Sequence, residues 1–156
     1  ACMAAELVTD PAIIEKVLQT VPQRPPFRYI DRILELSEDH IVGQYTYSKD
    51  EFFYPGHFPG HPVTPGVILL ETMAQTGVVA LGIYNAIKNG GSLNQISLFT
   101  DAEVEFAAMV LPGDTVTIKS QKIFLRRGKI RSKVDIYKQD GTLAASGTLS
   151  GMGVAL

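Results

Sequence analysis

The chain has 156 residues, the length of one domain, with 46% apolar and 19% charged residues and a net charge of −2 at pH 7. Its single cysteine, Cys2, excludes an intrachain disulfide and therefore the class of small secreted proteins that disulfides stabilise. The composition is that of a folded globular protein, and the near-neutral charge argues against a binder of nucleic acid.

The sequence predicts neither a secretory leader nor a membrane anchor. Glu6 and Asp10 stand where a leader would have its apolar block. The apolar stretch from Gly66 to Tyr84 is interrupted by polar residues, and its longest unbroken run has eight residues, against about 20 for a membrane span. We therefore expect a single cytoplasmic domain over residues 1–156, with no membrane insertion.

A short helix and a pair of strands are predicted at the start of the chain. Residues 1–9 are expected to be flexible, and Asp10 then caps an amphipathic helix that has proline in its first turn and ends before Pro22. Strand-forming residues at 27–36 and 41–48 predict two strands, joined by an acidic turn.

A rigid loop and a buried helix are predicted next. Residues 49–65 have no periodicity and contain four prolines and two glycines, so we expect a non-helical loop of fixed shape. Loops of this length in compact domains are usually functional. After Pro65 the pattern is helical for about twenty residues, apolar almost all round, and it stops at Asn89 and two glycines.

The remainder of the chain predicts an antiparallel sheet. In the stretch 129–138, Ile130, Val134 and Ile136 alternate with charged residues, as in a strand with one wet face. Such a sheet and one helix that is apolar nearly all round are best buried by wrapping the sheet around the helix, which gives an α+β fold. The four predicted strands lie within residues 93–110, 115–125, 129–138 and 142–154.

Positive charge is concentrated in one segment, residues 119–133, which holds seven Lys and Arg and no acidic residue. One interpretation is the solvated face of a β-hairpin, since surface strands carry their charges outward. The other is a docking face for an acidic partner, because clusters of one sign steer association.

Glu71 is the unusual residue of the central helix, because it lies in the second turn among apolar neighbours. Thr72, Gln75 and Thr76 continue the same polar stripe, which must therefore face something polar. Burial would raise the pKa of the Glu71 carboxyl and make it a proton donor near neutral pH. The alternative is a glutamate that reaches solvent through a gap or caps a neighbouring backbone.

Two of the three histidines, His57 and His61, lie in the proline-rich loop, which could hold a general base. A metal site is disfavoured, since this loop cannot place the two rings on one helical face and no third Cys or His ligand is at hand. The remaining histidine, His40, lies beside acidic residues in a turn and is predicted to be structural.

Gly66 opens the helix directly after Pro65, so its N–H is an unpaired donor at the positive end of the helix dipole. Such a donor suits an enolate-like oxygen. A base in the loop, this donor and an acid further along the helix are the parts needed to remove a proton beside a carbonyl and expel a β-hydroxyl. The sequence contains no nucleophile motif such as Gly-x-Ser-x-Gly.

Two motifs carry a resemblance to a known family. Residues 56–67 read GHFPGHPVTPGV and residues 71–75 read ETMAQ, and together they closely resemble the signature of the FabZ-type (3R)-hydroxyacyl-acyl carrier protein dehydratases. Weaker similarity at 25–32 and 112–114 extends the match over most of the chain. The resemblance implies the hotdog fold, a sheet wrapped around one long helix.

The resemblance also implies the reaction: loss of water from a (3R)-3-hydroxyacyl thioester to give the trans-2-enoyl thioester in fatty-acid biosynthesis, with no cofactor and no metal. His57 would take the C2 proton and Glu71 would protonate the departing hydroxyl. The N–H of Gly66 would hold the thioester carbonyl, and the carbonyl of Val63 would fix the His57 tautomer. The expected substrate-binding residues are Gly66, Val63, Phe58 and Gln75.

The implied partners are an acyl carrier protein bearing the 3-hydroxyacyl chain and a second copy of the chain. In this family one site takes its His and Glu from different subunits, so the unit is a homodimer, commonly assembled as a trimer of dimers. Two departures concern carrier docking: Ala107 and Ala108 replace basic residues, and Gln23 replaces a histidine. The basic segment 119–133 offers an alternative docking face; the other explanation is that the enzyme serves a specialised pathway with its own carrier.

Two other functions remain open from the residues. A thioesterase on the same fold would use the carboxylate to hold a water, and it would leave the His57 loop without a role. A non-catalytic acyl-thioester-binding module would keep the fold without turnover, and it would bind regardless of His57.

Overall fold

The computed structural model describes residues 5–156 and contains one antiparallel sheet of six strands in the order β1-β2-β4-β5-β6-β3. A short helix, α1 (Pro11–Thr20), precedes the sheet, and one long central helix, Gly66–Asn89, packs against it. The α+β class and the hotdog arrangement are therefore confirmed. The strands are β1 (Arg32–Leu36), β2 (His40–Thr46), β3 (Gln95–Phe106), β4 (Thr115–Arg126), β5 (Lys129–Lys138) and β6 (Leu143–Ala155).

The N-terminal segment meets the sheet before α1 begins. The N–H of Val8 donates to the carbonyl of Leu36 at 2.7 Å, and Asp10 caps α1 by accepting a hydrogen bond from the N–H of Ala12 at 2.9 Å. The expected flexibility of residues 1–9 falls partly on residues 1–4, which lie outside the described residues.

The central helix is not regular along its length. It consists of α2 (Gly66–Ala74), a π-helical segment (Gln75–Ala80) and α3 (Leu81–Asn89), and it ends as predicted at Gly90, whose φ of 71° is the left-handed conformation of a C-cap. By length and composition the helix could cross a membrane, but 67% of its most apolar window is buried inside the protein. That burial is typical of a core helix.

The π-helical segment lies directly on the sheet. A Cβ at Gly77 would stand 2.6 Å from Val134 and 2.7 Å from the hydroxyl of Ser120, and a Cβ at Gly151 would stand 2.6 Å from Val78. The hydroxyl of Ser132 donates to the carbonyl of Gly77 at 2.7 Å, a bond that links β5 to the helix. These contacts leave no room for larger residues and fix the helix against the strands.

The strands form where they were predicted, but β1, β2 and β3 are shorter than predicted: β2 ends at Thr46 and β3 begins at Gln95. Strand β5 has the predicted bounds, and its buried residues alternate as expected. Strand β1 begins at Arg32 and not at residue 27, because the N–H of Tyr29 donates to a helix side chain. Strand β3 ends at Phe106, because the N–H groups of Ala107 and Ala108 both donate to one carbonyl of β6, that of Ala144.

The basic segment 119–133 forms the β4–β5 hairpin, whose turn has positive φ at Arg127 and Gly128. Four of its seven basic residues pair with acidic residues. Lys122 meets Asp39, Lys129 and Arg131 meet Asp101, and Lys133 meets Asp135 at 2.6 Å. This pairing favours the solvated hairpin face over a docking face for an acidic partner.

Candidate active site

His57 is held by the backbone of its own loop. A short 3₁₀ turn, Tyr54–Gly56, precedes it, and its N–H donates to the carbonyl of Tyr54 at 3.2 Å. The ring Nδ1 lies 2.9 Å from the carbonyl oxygen of Val63, whose N–H in turn donates to the carbonyl of His57 at 2.8 Å. A carbonyl can only accept, so the neutral ring carries its proton on Nδ1 and leaves Nε2 free as a base.

The end of the loop is held by the segment that follows β3. The N–H of Thr64 donates to the carbonyl of Val110 at 2.8 Å, and its hydroxyl lies 2.6 Å from that of Tyr54. Both side chains are buried. Residues on each side of His57 are therefore anchored, which restricts the position of the ring.

Gly66 lies in the same cleft as His57. The cleft is open, and Val63, Phe106 and Met109 also line it. Within residues 5–156 the N–H of Gly66 has no hydrogen-bond partner, as expected at the first position of a helix. A Cβ at Gly66 would stand 3.3 Å from the ring of Phe106, so a side chain at this position would crowd that ring.

Phe58 follows His57 through a cis peptide bond, and the two rings stack with their centroids 4.2 Å apart. More than half of the Phe58 side chain is exposed, and it faces a second cleft with Tyr54 and Pro62. His61 is exposed beyond it and pairs with Phe58 through backbone hydrogen bonds in both directions. In one chain the ring of Phe58 therefore covers one face of the His57 ring.

Glu71 is half-buried, and the Nε2 of Gln75 donates to its Oε2 at 3.0 Å. Burial raises the pKa of the Glu71 carboxyl, because the charged form loses water; the hydrogen bond from Gln75 opposes this shift in part. The net shift is upward, and it favours the protonated form that can act as a general acid.

Gln75 is fully buried, and its amide is occupied by the protein. Its Oε1 accepts from the N–H of Tyr29 at 2.7 Å, and its Nε2 donates to the carbonyl of Phe27 at 2.9 Å as well as to Glu71. That Gln75 also binds substrate stays a prediction. Its contacts hold the Glu71 carboxyl relative to the segment before β1.

The expected catalytic residues open onto different cavities of one chain. His57, Val63 and Gly66 line one cleft, whereas Glu71 lines a small separate cavity between the central helix and the strands β3 and β6. The structure thus brings His57 together with Gly66, and Glu71 together with Gln75. The spacing of His57 and Glu71 in the sequence did not predict that they line different cavities.

Apart from Glu71, none of the residues that line this cavity was predicted as a site residue from the sequence; Gln23, Ser97 and Phe99 are among them. Only Gln23 carried a signal, namely that it replaces a histidine of the family. His40, which was predicted to be structural, has its Nδ1 2.7 Å from the hydroxyl of Ser37 in the β1–β2 turn. Within the described residues no group of three or more His, Cys, Asp and Glu could hold a metal.

Comparison with known proteins places the chain in a family. The FabA-like domain model matches residues 21–149. The chain is 41% identical over 138 residues to the 3-hydroxyacyl-acyl-carrier-protein dehydratase FabZ of Streptococcus agalactiae, covering 88% of this chain and 94% of the relative. It is 35% identical over 142 residues to the FabZ of Acinetobacter baylyi, covering 90% and 89%.

Solved structures share the fold at lower identity. The dehydratase heterocomplex ApeI:P from Xenorhabdus doucetiae matches with a TM-score of 0.75 and 18% identity over 88% of this chain and 90% of that chain. A hypothetical thioesterase from Streptococcus pneumoniae matches with a TM-score of 0.56 and 15% identity over 80% and 85%. The fold is thus common to dehydratases and thioesterases, and the sequence comparison decides between them: this chain belongs to the FabA-like family, among relatives that are FabZ dehydratases.

Proposed function

We propose that this protein removes water from (3R)-3-hydroxyacyl-acyl carrier protein to give the trans-2-enoyl form, as a cytoplasmic step of fatty-acid biosynthesis. The FabZ relatives, matched over nearly their whole length, support this reaction and this carrier. The observation that carries the chemistry is the hydrogen bond between Nδ1 of His57 and the carbonyl of Val63, which leaves Nε2 free to act as a base. The burial of Glu71, which raises the pKa of its carboxyl, supports the role of an acid.

The reaction needs two proton transfers and one carbonyl contact. Nε2 of His57 takes a proton from C2 while the N–H of Gly66 holds the thioester oxygen, on which negative charge develops. Glu71 gives its proton to the hydroxyl on C3, the C3–O bond breaks and the C2–C3 double bond forms. Water leaves, and no electrons pass to an outside acceptor, so the proposed reaction needs no cofactor.

A complete site would form between two copies of the chain. Strand β3 is an edge of the sheet, and Leu98 and Phe99 on it are exposed next to the Glu71 cavity. Exposed apolar residues on a long edge strand favour pairing with another chain. We propose a homodimer in which His57 of one copy meets Glu71 of the other, and, from the family resemblance, a trimer of such dimers.

The acyl chain would pass from Glu71 along the central helix. A further cavity of about 180 Å³ lies under α3, and it shares Val78, Val79 and Ser97 with the Glu71 cavity. Gly82 and Leu125 line its far part. Shared walls make the two cavities neighbours, so we propose that the far cavity receives the end of the acyl chain.

The carrier would dock near the His57 cleft. There the replacement of basic residues by Ala107 and Ala108 leaves apolar surface, with Met109 about two-thirds exposed. We propose that apolar contacts contribute more to carrier docking here than in relatives with basic residues. A docking affinity that falls steeply with salt would contradict this.

The test of the function is ultraviolet absorbance of the enoyl thioester when the purified protein meets a 3-hydroxyacyl thioester, with a thiol-trapping dye in a parallel cuvette. Enoyl formation without thiol release is expected. Thiol release without enoyl signal would instead identify a thioesterase. Silence in both channels, with measured acyl-carrier binding, would identify a non-catalytic acyl-binding module.

A further inference from the structure

A buried hydrogen bond between two side chains closes the loop that carries His57. The hydroxyl of Tyr54 lies 2.6 Å from the hydroxyl of Thr64, and the two residues are only 3% and 4% exposed. It is the one hydrogen bond that either hydroxyl makes within residues 5–156. Burial raises the pKa of Tyr54 to about 12, so its phenol stays protonated at neutral pH.

Stability alone does not account for this bond. A hydrogen bond between two buried hydroxyls gains little net free energy of folding, because both groups give up their bonds to water. Apolar side chains of the same shape at both positions can leave a protein equally stable. The bond between Tyr54 and Thr64 therefore calls for an explanation in what it positions.

Thr64 shares a peptide unit with the carbonyl that holds His57. The carbonyl oxygen of Val63 lies 2.9 Å from Nδ1 of His57. The N–H of the same unit belongs to Thr64 and donates to the carbonyl of Val110 at 2.8 Å. Because a peptide unit is planar, the carbonyl can turn away from the ring only if the backbone of Thr64 turns with it. A contact that holds Thr64 therefore also holds the acceptor of the His57 ring.

Tyr54 completes this set of contacts from the other side of the loop. Its carbonyl accepts a hydrogen bond from the N–H of His57 at 3.2 Å. The contacts thus form a closed ring, in which His57 bonds to Tyr54, Tyr54 bonds to Thr64, and the peptide unit of Thr64 bonds back to His57. Loss of either hydroxyl opens this ring at the contact between the two side chains.

The tautomer of His57 matters for the proposed reaction, since only one tautomer leaves Nε2 as a base. In a neutral imidazole either nitrogen can carry the proton, and a hydrogen bond to one nitrogen selects the tautomer. A ring that carries its proton on Nε2 cannot remove a proton from C2. The reaction therefore depends on a Val63 carbonyl that stays in line with Nδ1.

We propose that Tyr54 and Thr64 are positioning residues for the general base: the bond between their hydroxyls holds the Val63–Thr64 peptide unit, whose carbonyl keeps the His57 proton on Nδ1. This inference rests on the proposed dehydratase function. The two residues act on the reaction through the His57 ring and not through contact with the substrate.

The first test compares single and double variants that remove the bond. Tyr54→Phe and Thr64→Val each leave one buried hydroxyl unpaired, so each should lower the melting temperature. Each should also lower kcat about fivefold or more, with KM changed by less than about twofold. The double variant has no unpaired hydroxyl, so its melting temperature should return close to the wild-type value while kcat stays low. Recovery of kcat together with the melting temperature would mean a merely structural role and would overturn the proposal.

Nitrogen-15 NMR of the His57 ring gives a readout that needs no substrate. At alkaline pH, where imidazole rings are neutral, the wild type should carry its proton on Nδ1. The double variant should show a mixture of the two tautomers, whereas Thr64→Ser, which retains the hydroxyl, should keep the wild-type signals. The His57 signals are assigned by their loss in His57→Ala. A wild-type tautomer in the double variant would contradict the proposal.

A second buried Tyr–Thr pair provides the matched control. The hydroxyl of Tyr47 lies 2.5 Å from that of Thr72, which donates to the carbonyl of Ile68 at 2.8 Å. Combining Tyr47→Phe with Thr72→Val removes a bond of the same kind between the segment after β2 and the central helix. This control should leave the tautomer of His57 unchanged. An equal change of tautomer there would indicate general loosening of the protein and would overturn the proposal.

The NMR spectra also separate this proposal from the proposed function. A wild-type protein that forms no enoyl product, but whose His57 tautomer changes in the Tyr54→Phe/Thr64→Val variant, would contradict the dehydratase function and support the positioning role. An active wild type whose tautomer and kcat are both unmoved in that variant would contradict the positioning role alone.

Discussion

The Nδ1 atom of His57 and the backbone carbonyl oxygen of Val63 lie 2.9 Å apart, within one rigid loop. Because the acceptor is a backbone atom, the tautomer of the ring does not depend on the side chain at position 63. Val63→Ala is thus expected to preserve the state in which Nε2 is the base.

His57→Ala is expected to reduce enoyl formation at least about a hundredfold, the scale of a lost general base. The control is His61→Ala in the same loop, since His61 is exposed and pairs with Phe58 through backbone atoms that an alanine retains. Rates of both variants are measured by enoyl absorbance. Equal losses in the two would mean that the loop conformation, and not the His57 ring, limits the rate.

Glu71→Gln is expected to abolish most activity while stabilising the protein at neutral and alkaline pH. The pKa of Glu71 is raised above the ordinary value of 4.5, so ionising this carboxyl costs folding free energy in the wild type. The stability advantage of Glu71→Gln should therefore be small below pH 4.5, grow as the pH rises through the raised pKa, and then level off. Urea denaturation at a series of pH values measures it. A constant difference would contradict burial as the cause.

Gln75→Leu and Thr76→Val should have opposite effects on stability although the residues are adjacent. Gln75→Leu leaves the buried N–H of Tyr29 without its acceptor, which costs about 1–3 kcal/mol. It also removes the hydrogen bond that Gln75 donates to the Glu71 carboxyl. Thr76 has a buried hydroxyl without a partner in the described chain, so Thr76→Val should be neutral or stabilising. Denaturant midpoints compare the two variants. Equal destabilisation would show that packing dominates both positions.

Mixing two inactive variants tests whether the site is shared. If His57 and Glu71 come from different copies, a dimer of one His57→Ala chain and one Glu71→Gln chain has one intact site and one doubly altered site. Random re-association then makes half of the dimers mixed, so activity should return to about a quarter of the wild-type value. A mixture that stays inactive after subunit exchange, confirmed by mass spectrometry, would place both residues in one chain.

Gly82 is expected to set the length of the acyl chain that fits. A Cβ at this position meets no heavy atom within 4 Å, and the residue lines the cavity under α3. Gly82→Leu should fill that space and lower kcat/KM for long chains while short chains react normally. Gly82→Ala is the control, since it should stabilise the helix by about 0.5–1 kcal/mol with little loss of volume. Equal effects on short and long chains would contradict the assignment.

The sequence predicted the elements well where local signals decide them. Alternation of Ile130, Val134 and Ile136 placed β5 to the residue, and Gly90 ended the central helix as expected. The π-helical segment was not predicted, because it depends on the contact between Gly77 and strands more than forty residues away in the chain. A local sequence pattern carries no information about a contact between segments so far apart in the chain.

The candidate site was predicted only in part, because contacts between segments far apart in the chain also shape it. His57 and Glu71 were found from residue type and context, but nothing in their spacing showed that they open onto different cavities. Gln75 was expected at the substrate, and only the structure showed both ends of its amide bound to backbone atoms of Phe27 and Tyr29. Gln23 enters the Glu71 cavity from before the first strand, a proximity that no periodicity encodes.

The close seating of the π-helical segment on the sheet has a consequence for how this protein can diversify. Where Gly77 and Gly151 bring backbone and side chain into contact, the helix cannot shift sideways to admit a wider ligand. A ligand of different size must therefore be accommodated by substitutions at residues that line the cavities, such as Gly82 and Leu125, while the helix stays in place. Related proteins can then differ in the substrate length they accept through single substitutions, while His57, Glu71 and the residues that hold them keep their positions.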